Sequence, residues 1–122
     1  MSRRAIERED WAEFADGFSR RHDGWLVSVS VDPEDAPRRC LERDAPLQGV
    51  VVEGEGNPRS MMIITGSPGP RATHFVEHPT SVDVEETDEG AEQALPITDE
   101  WGCRTIVEFR SPMRPELVDG MT

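Results

Sequence analysis

The sequence predicts an α+β domain: an N-terminal amphipathic helix packed on a curved, mostly antiparallel β-meander of about seven short strands, with a partly closed barrel as one form of that sheet. Three observations predict it. Apolar residues fall at helical spacing only once, at Trp11, Phe14, Ala15 and Phe18. From Trp25 onward the period is two, as in a strand. The segments with that period are short and separated by turns built from Gly, Pro, Asn and Asp.

The helix is expected over Glu7 to His22. Its four apolar residues occupy i, i+3, i+4 and i+7, one face. Glu7, Glu9 and Asp10 at its start and Arg20, Arg21 and His22 at its end complement the macrodipole. Gly24 is the expected stop. Gly17, inside the helix, is either a point of close approach to the sheet or a tolerated defect of about 1 kcal/mol. Loss of Phe14 or Phe18 to alanine is expected to cost about 3–5 kcal/mol.

Trp25, Val27, Val29 and Val31 alternate with Leu26, Ser28 and Ser30, giving the first strand. Asp32 to Ala45 holds two prolines and charges of both signs without a period. It reads as a long loop, with a short helical turn around Arg38 to Arg43. Leu47 to Glu53 is the next strand, followed by a turn at Gly54 to Pro58. Met61 to Thr65 is apolar on both faces and belongs in the sheet centre. A turn at Gly66 to Pro70 leads to a strand from Thr73 to His78, stopped by Pro79. Ser81 to Glu86 alternates through Val82 and Val84. Ala94 to Thr98 carries Pro96, which marks an edge or short strand. The turn Asp99 to Gly102 leads into Arg104 to Arg110, where Thr105, Val107 and Phe109 share a face.

A length of 122 residues suits one domain, 1–122, with the Pro-containing stretch 111–122 as an extended tail. β-branched valine and isoleucine outnumber leucine, which favours strands. The formal net charge is −12, which disfavours nucleic acid and anionic membranes as partners. All 13 basic residues are arginine. A high-salt cytoplasm accounts for both the acidity and the missing lysines; a GC-rich genome accounts for the missing lysines alone. Two cysteines, Cys40 and Cys103, make no disulfide scaffold. Arg3-Arg4 is followed by no apolar run, and no stretch reaches the ~18 apolar residues of a membrane helix, so a cytoplasmic location is expected.

Motifs that could carry chemistry are few. His74-Phe75-Val76-Glu77-His78 has the letters HxxEH of an inverted zinc-protease motif. That chemistry needs a helix. On a strand the two histidines lie ~13 Å apart, too far for one zinc. His22-Asp23 reads as a helix C-terminus before it reads as half of an acid–base pair. Nothing in the sequence brings Cys40 or Cys103 to a histidine, and no Gly-rich loop has phosphate-binding spacing. Trp101 is oddly placed, in an acidic turn, where it either folds back on the sheet or anchors a partner. Pro112 to Pro115 matches PxxP weakly.

Several stretches together resemble a family of short prokaryotic proteins known only as a domain of unknown function, found among others in halophilic archaea. They are Trp11 to Phe18 running through Ser19-Arg20-Arg21-His22-Asp23-Gly24-Trp25-Leu26-Val27, Pro46 to Gly49, Phe109 to Pro112, and Pro115 to Gly120. The resemblance implies a single domain and supplies no catalytic residues.

These residues point first to a non-enzymatic accessory or interaction module. It would use a sheet edge, the Trp101 turn or the C-terminal tail to bind an unknown protein partner or its own copies. The alternative is a small-ligand binder or small enzyme with a pocket between helix and sheet. The candidate contacts are Trp101, Arg104, Arg110 and His74, with no catalytic residue, cofactor or metal expected.

Overall fold

The computed structural model describes residues 2–54, 60–66 and 71–110. In chain order its elements are β1 (Ser2–Ile6), a 3-10 turn (Arg8–Asp10), α1 (Trp11–Arg21), β2 (Leu26–Asp32), β3 (Arg39–Glu53), β4 (Ser60–Thr65), β5 (Ala72–Glu77), β6 (Pro79–Glu86), β7 (Glu92–Asp99) and β8 (Arg104–Phe109). The expected tail 111–122, with its PxxP, lies outside the described residues, as do most of the turns at Gly54 to Pro58 and Gly66 to Pro70.

All strand pairs are antiparallel, in one eight-stranded sheet of order β1-β6-β7-β8-β2-β3-β4-β5. Two meanders, β2 to β5 and β6 to β8, are joined where β8 pairs with β2, Val27 opposite Phe109 and Val31 opposite Thr105. The sheet is not closed into a barrel. Closure would need the two edges of that order, β1 and β5, to pair, and among the described residues they do not. β5 and β6 are joined through His78, which turns the chain at φ 51°, and β1 pairs along β6.

β3 bends the sheet. Its first half pairs with β2, as far as Leu26 opposite Pro46, and its second half pairs with β4 from Leu47 to Glu53. Register shifts in the β2 pairing and the left-handed Asp44 (φ 51°) mark the bend. Beyond it the edge of β3 has lost β2, and α1 covers the gap. Ser19 Oγ accepts the Val50 amide at 2.8 Å and lies within donating distance of the Val50 carbonyl (3.1 Å) and the Ala15 carbonyl (2.7 Å). Gly49 lies under this contact: a Cβ there would just touch Ser19 Oγ at 3.4 Å. Gly17 has a different reason. The space beside it is filled by the Arg21 guanidinium, not by a strand.

The helix buries Trp11, Ala15 and Phe18 against Val27, Val29, Val50, Ile63, Val84, Leu95, Ile97 and Val107, with Phe14 partly covered. Trp11 Nε1 donates to the Ile6 carbonyl at 2.9 Å, fixing the helix start to the end of β1. Gly24, at φ 82°, ends the helical segment and donates to Leu47.

Four local expectations need correction. β1 was not foreseen, because Ser-Arg-Arg-Ala-Ile has no apolar alternation; it is held as an edge by ion pairs of Arg3 with Asp83 and Glu85. The expected loop to Ala45 is strand from Arg39, since pairing with β2 supplies what its side chains do not. The same pairing rules out a helical turn at Arg38 to Arg43. Pro96 sits in β7, an interior strand, opposite Ile106 of β8. Its missing N–H removes one ladder bond, which the buried Leu95 and Ile97 beside it offset.

Candidate functional site

The end of α1 sets a polar cluster at the border of the core, with His22 and Glu92 buried and Arg21 exposed. Arg21 and His22 close the helix, and the start of β7 brings Glu92 against them. The Arg21 guanidinium donates twice to the Glu92 carboxylate, Nε and Nη2 each at 3.0 Å. His22 is only 1% exposed and Glu92 4%. The His22 ring is packed among Phe18 (4.6 Å), Trp25 (4.7 Å) and Phe109 (4.4 Å). Its Nδ1 lies 2.8 Å from the Phe18 carbonyl, so that nitrogen carries a proton and donates. Its Nε2 faces Glu92 Oε1 at 3.5 Å. Burial pushes the imidazole below its ordinary value; the Phe18 carbonyl and Glu92 act the other way, and Arg21 adds to the depression. The cluster therefore holds one cation, one anion and a neutral ring. His22 and an acid do meet, but the acid is Glu92, 70 positions away, and the ring is closed to substrate.

A groove of about 530 Å³ runs between β1, the 3-10 turn and α1, over Ile6, Phe14 and Gly17. It is the pocket between helix and sheet that a small-ligand reading requires. Its three arginines are already engaged: Arg4 with Glu86 (3.9 Å), Arg20 with Asp16 (2.6 Å) and Arg21 with Glu92.

The four candidate contacts do not converge. Trp101 is 61% exposed in the turn between β7 and β8, edge-on to His78 at 5.6 Å. Asp99 Oδ1 shapes that turn by accepting the amides of Trp101 (2.9 Å) and Cys103 (3.0 Å). Arg104 begins β8, in register with Asp32 and Thr98. Arg110 lies just past the other end of β8, roughly 20 Å away along the strand, and stands 4.0 Å from Asp44 Oδ2. His74 points its Nε2 towards Glu42 Oε1 at 3.7 Å, without a hydrogen bond. His78 has left the strand at its left-handed corner, so the two histidines of the HxxEH letters face different neighbours. Among the described residues, no three His, Cys, Asp or Glu side chains are grouped to hold a metal. Both cysteines are free, and burial next to Asp99 and Asp32 pushes the Cys103 thiol up.

The two sheet edges differ in a way the sequence did not announce. β1 presents Arg3 and Arg4, ion-paired to Asp83, Glu85 and Glu86 of β6. β5 presents Phe75, 58% exposed, and its outward residues Thr73, Phe75 and Glu77 are all exposed. Phe75 is opposite Met62, and Met62 is opposite Val51, 40% exposed. An apolar row therefore crosses the outer face of β3, β4 and β5. The period-two pattern of β5 placed Phe75 on one face; which face met solvent depended on the bend in β3.

These features define an α+β domain of one short helix on an eight-stranded antiparallel sheet, with a half-buried Arg21–His22–Glu92 cluster and, among the described strands, an edge at β5 that displays Phe75. The chain belongs to a family described as a family of unknown function (DUF5335), whose model matches residues 2–117. No curated protein matches it, and no solved structure does. No helix of the described residues is long and apolar enough to cross a membrane.

Proposed function

We propose that this protein is a non-enzymatic interaction module, cytoplasmic, that takes an extended segment of a partner polypeptide onto the edge of β5. The asymmetry of the two edges carries this reading. Sheet edges that must stay unpaired are commonly guarded by charge, as β1 is by Arg3 and Arg4. β5 carries charge only at its two ends, Arg71 and Glu77, and between them sets an exposed Phe75 on an edge that pairs with no further strand among the described residues. Strand addition uses main-chain groups for affinity and alternate side chains for selectivity. The net charge of −12 argues against nucleic acid and anionic lipid as the partner.

The rival, a ligand or substrate in the groove over Phe14, has less support, because its arginines are spent on the chain's own carboxylates. Selection of displayed peptides against the folded chain, followed by NMR mapping of the best binder, separates the two. The expected result is amide shifts concentrated at Ala72–Glu77 and loss of binding in Phe75→Glu. Shifts concentrated at Arg4, Phe14 and Arg20, or no binding peptide, would overturn the reading.

A further inference from the structure

We propose that the β5 edge is taken by β5 of a second copy of this chain, in an antiparallel, two-fold pairing with His74 opposite His74. The inference rests on β5 being the docking edge and adds the identity of the occupant.

Two charges favour a second copy as the occupant. Arg71 and Glu77 bracket β5, are both exposed, and make no ion pair within the described chain. They stand symmetrically about His74, three residues on either side. In an antiparallel pair of identical strands centred on His74, Glu77 of each copy falls opposite Arg71 of the other. Two ion pairs then close the ends of the interface, one at each end. Thr73 falls opposite Phe75, so the two Phe75 rings become diagonal neighbours, within reach of each other on the outer face. The apolar row Val51–Met62–Phe75 of one copy continues into that of the other.

Other registers lose this match. Slipping by one residue sets the core-facing side of one copy against the solvent-facing side of the other, which separates the Phe75 rings onto opposite faces. Centring on Phe75 puts Glu77 opposite Thr73 and Arg71 opposite Pro79. Centring on Thr73 puts Phe75 opposite Arg71. Only the His74 centre pairs opposite charges and keeps like faces together. β1 cannot offer the same to a second copy, since Arg3 and Arg4 would face like charges or leave their carboxylates.

The contact is small, one strand and one side-chain row per copy, below the ~1,200 Å² of stable interfaces. A weak, reversible dimer is expected. The test is sedimentation equilibrium of the full chain in 0.15 M KCl, from about 1 μM to 1 mM, a range that spans weak dissociation constants. Wild type should pass from monomer to dimer. Glu77→Arg and Arg71→Glu should each raise the dissociation constant roughly tenfold or more, by turning both end pairs repulsive. An equimolar mixture of the two variants should recover dimer, because each end then holds one Arg and one Glu. Wild type remaining monomeric at the highest concentration overturns the proposal, as does a dimer indifferent to either variant or a mixture that fails to recover. Peptide shifts at Ala72–Glu77 in a monomeric wild type would remove the second copy while leaving strand addition in place.

Discussion

Lowering the pH should weaken this fold through one buried histidine before its carboxylates titrate. The neutral His22 ring donates from Nδ1 to Phe18 and keeps a lone pair on Nε2, 3.5 Å from a Glu92 oxygen already bound by Arg21. A proton on Nε2 would place a second cation beside that single carboxylate, in a pocket of Phe18, Trp25 and Phe109. Burial dominates, so the folded pKa lies below the ordinary histidine value. The unfolded chain takes up its proton near pH 6.5, as a free histidine does at about that pH. Between the two values the unfolded state holds more protons. The contribution is thus complete above the unfolded pKa and is lost as pH falls towards the folded one. One proton gives a slope of at most about 1.4 kcal/mol per pH unit. With a urea m-value of ~1–3 kcal/mol/M, one unit moves the midpoint by roughly 0.5–1.4 M. Urea unfolding followed by tryptophan fluorescence at pH 7.5, 6.5 and 5.5 measures it, with Trp25 4.7 Å from the ring as reporter. His22→Gln should flatten the profile. Equal slopes in the two proteins, or wild type gaining stability as pH falls, would refute the reasoning and show that Glu92 holds the ring charged.

Phe18→Ala should cost about 3–5 kcal/mol, since the ring is fully buried between Phe14, His22 and Phe109; Phe14→Ala, at a partly covered position, should cost clearly less, and equal midpoints for the two would contradict this packing. Ser19→Ala should lose about 1–3 kcal/mol, because the Val50 amide keeps no replacement partner; hydrogen exchange at Val50 should rise in that variant. The melting temperature should climb as KCl goes from dilute to molar, because screening shortens from ~8 Å at 0.15 M to ~3 Å at 1 M and the net charge is −12. A flat or falling salt curve would show that arginine pairs already offset the acidic groups.

The parts of the fold that were legible are those whose side chains alternate against the core. Trp11, Ala15 and Phe18 located the helix, and Val27 with Val29 located β2, because burial and periodicity coincide there. β1 and the first half of β3 were hidden because backbone pairing, not side-chain burial, holds them. Pro96 misled because its rule concerns one lost hydrogen bond, and the packing of Leu95 and Ile97 outweighs one bond. Trp101 is exposed and His74 Nε2 has no hydrogen bond, yet the fold does not unite these two candidate contacts. The His22–Glu92 contact and the exposed edge of β5 needed the strand order, which no local pattern encodes.

The joint between β2 and β8 has a consequence for how the chain reaches this structure. Val27 meets its partner only when Phe109 is available, and Ile6 of β1 waits for Val82 of β6. The hairpins of β2 to β5 and of β6 to β8 close over short distances, but the seam between them spans most of the chain. Contacts of that separation carry a large loop-closure entropy and slow the search. During synthesis the helix and β2 therefore emerge with Val27 and Val29 still facing solvent on one side. They stay so until β8 leaves the ribosome. Completion of the fold is then a late, near-concerted event rather than a vectorial one, and the early strands spend the longest time open to wrong neighbours.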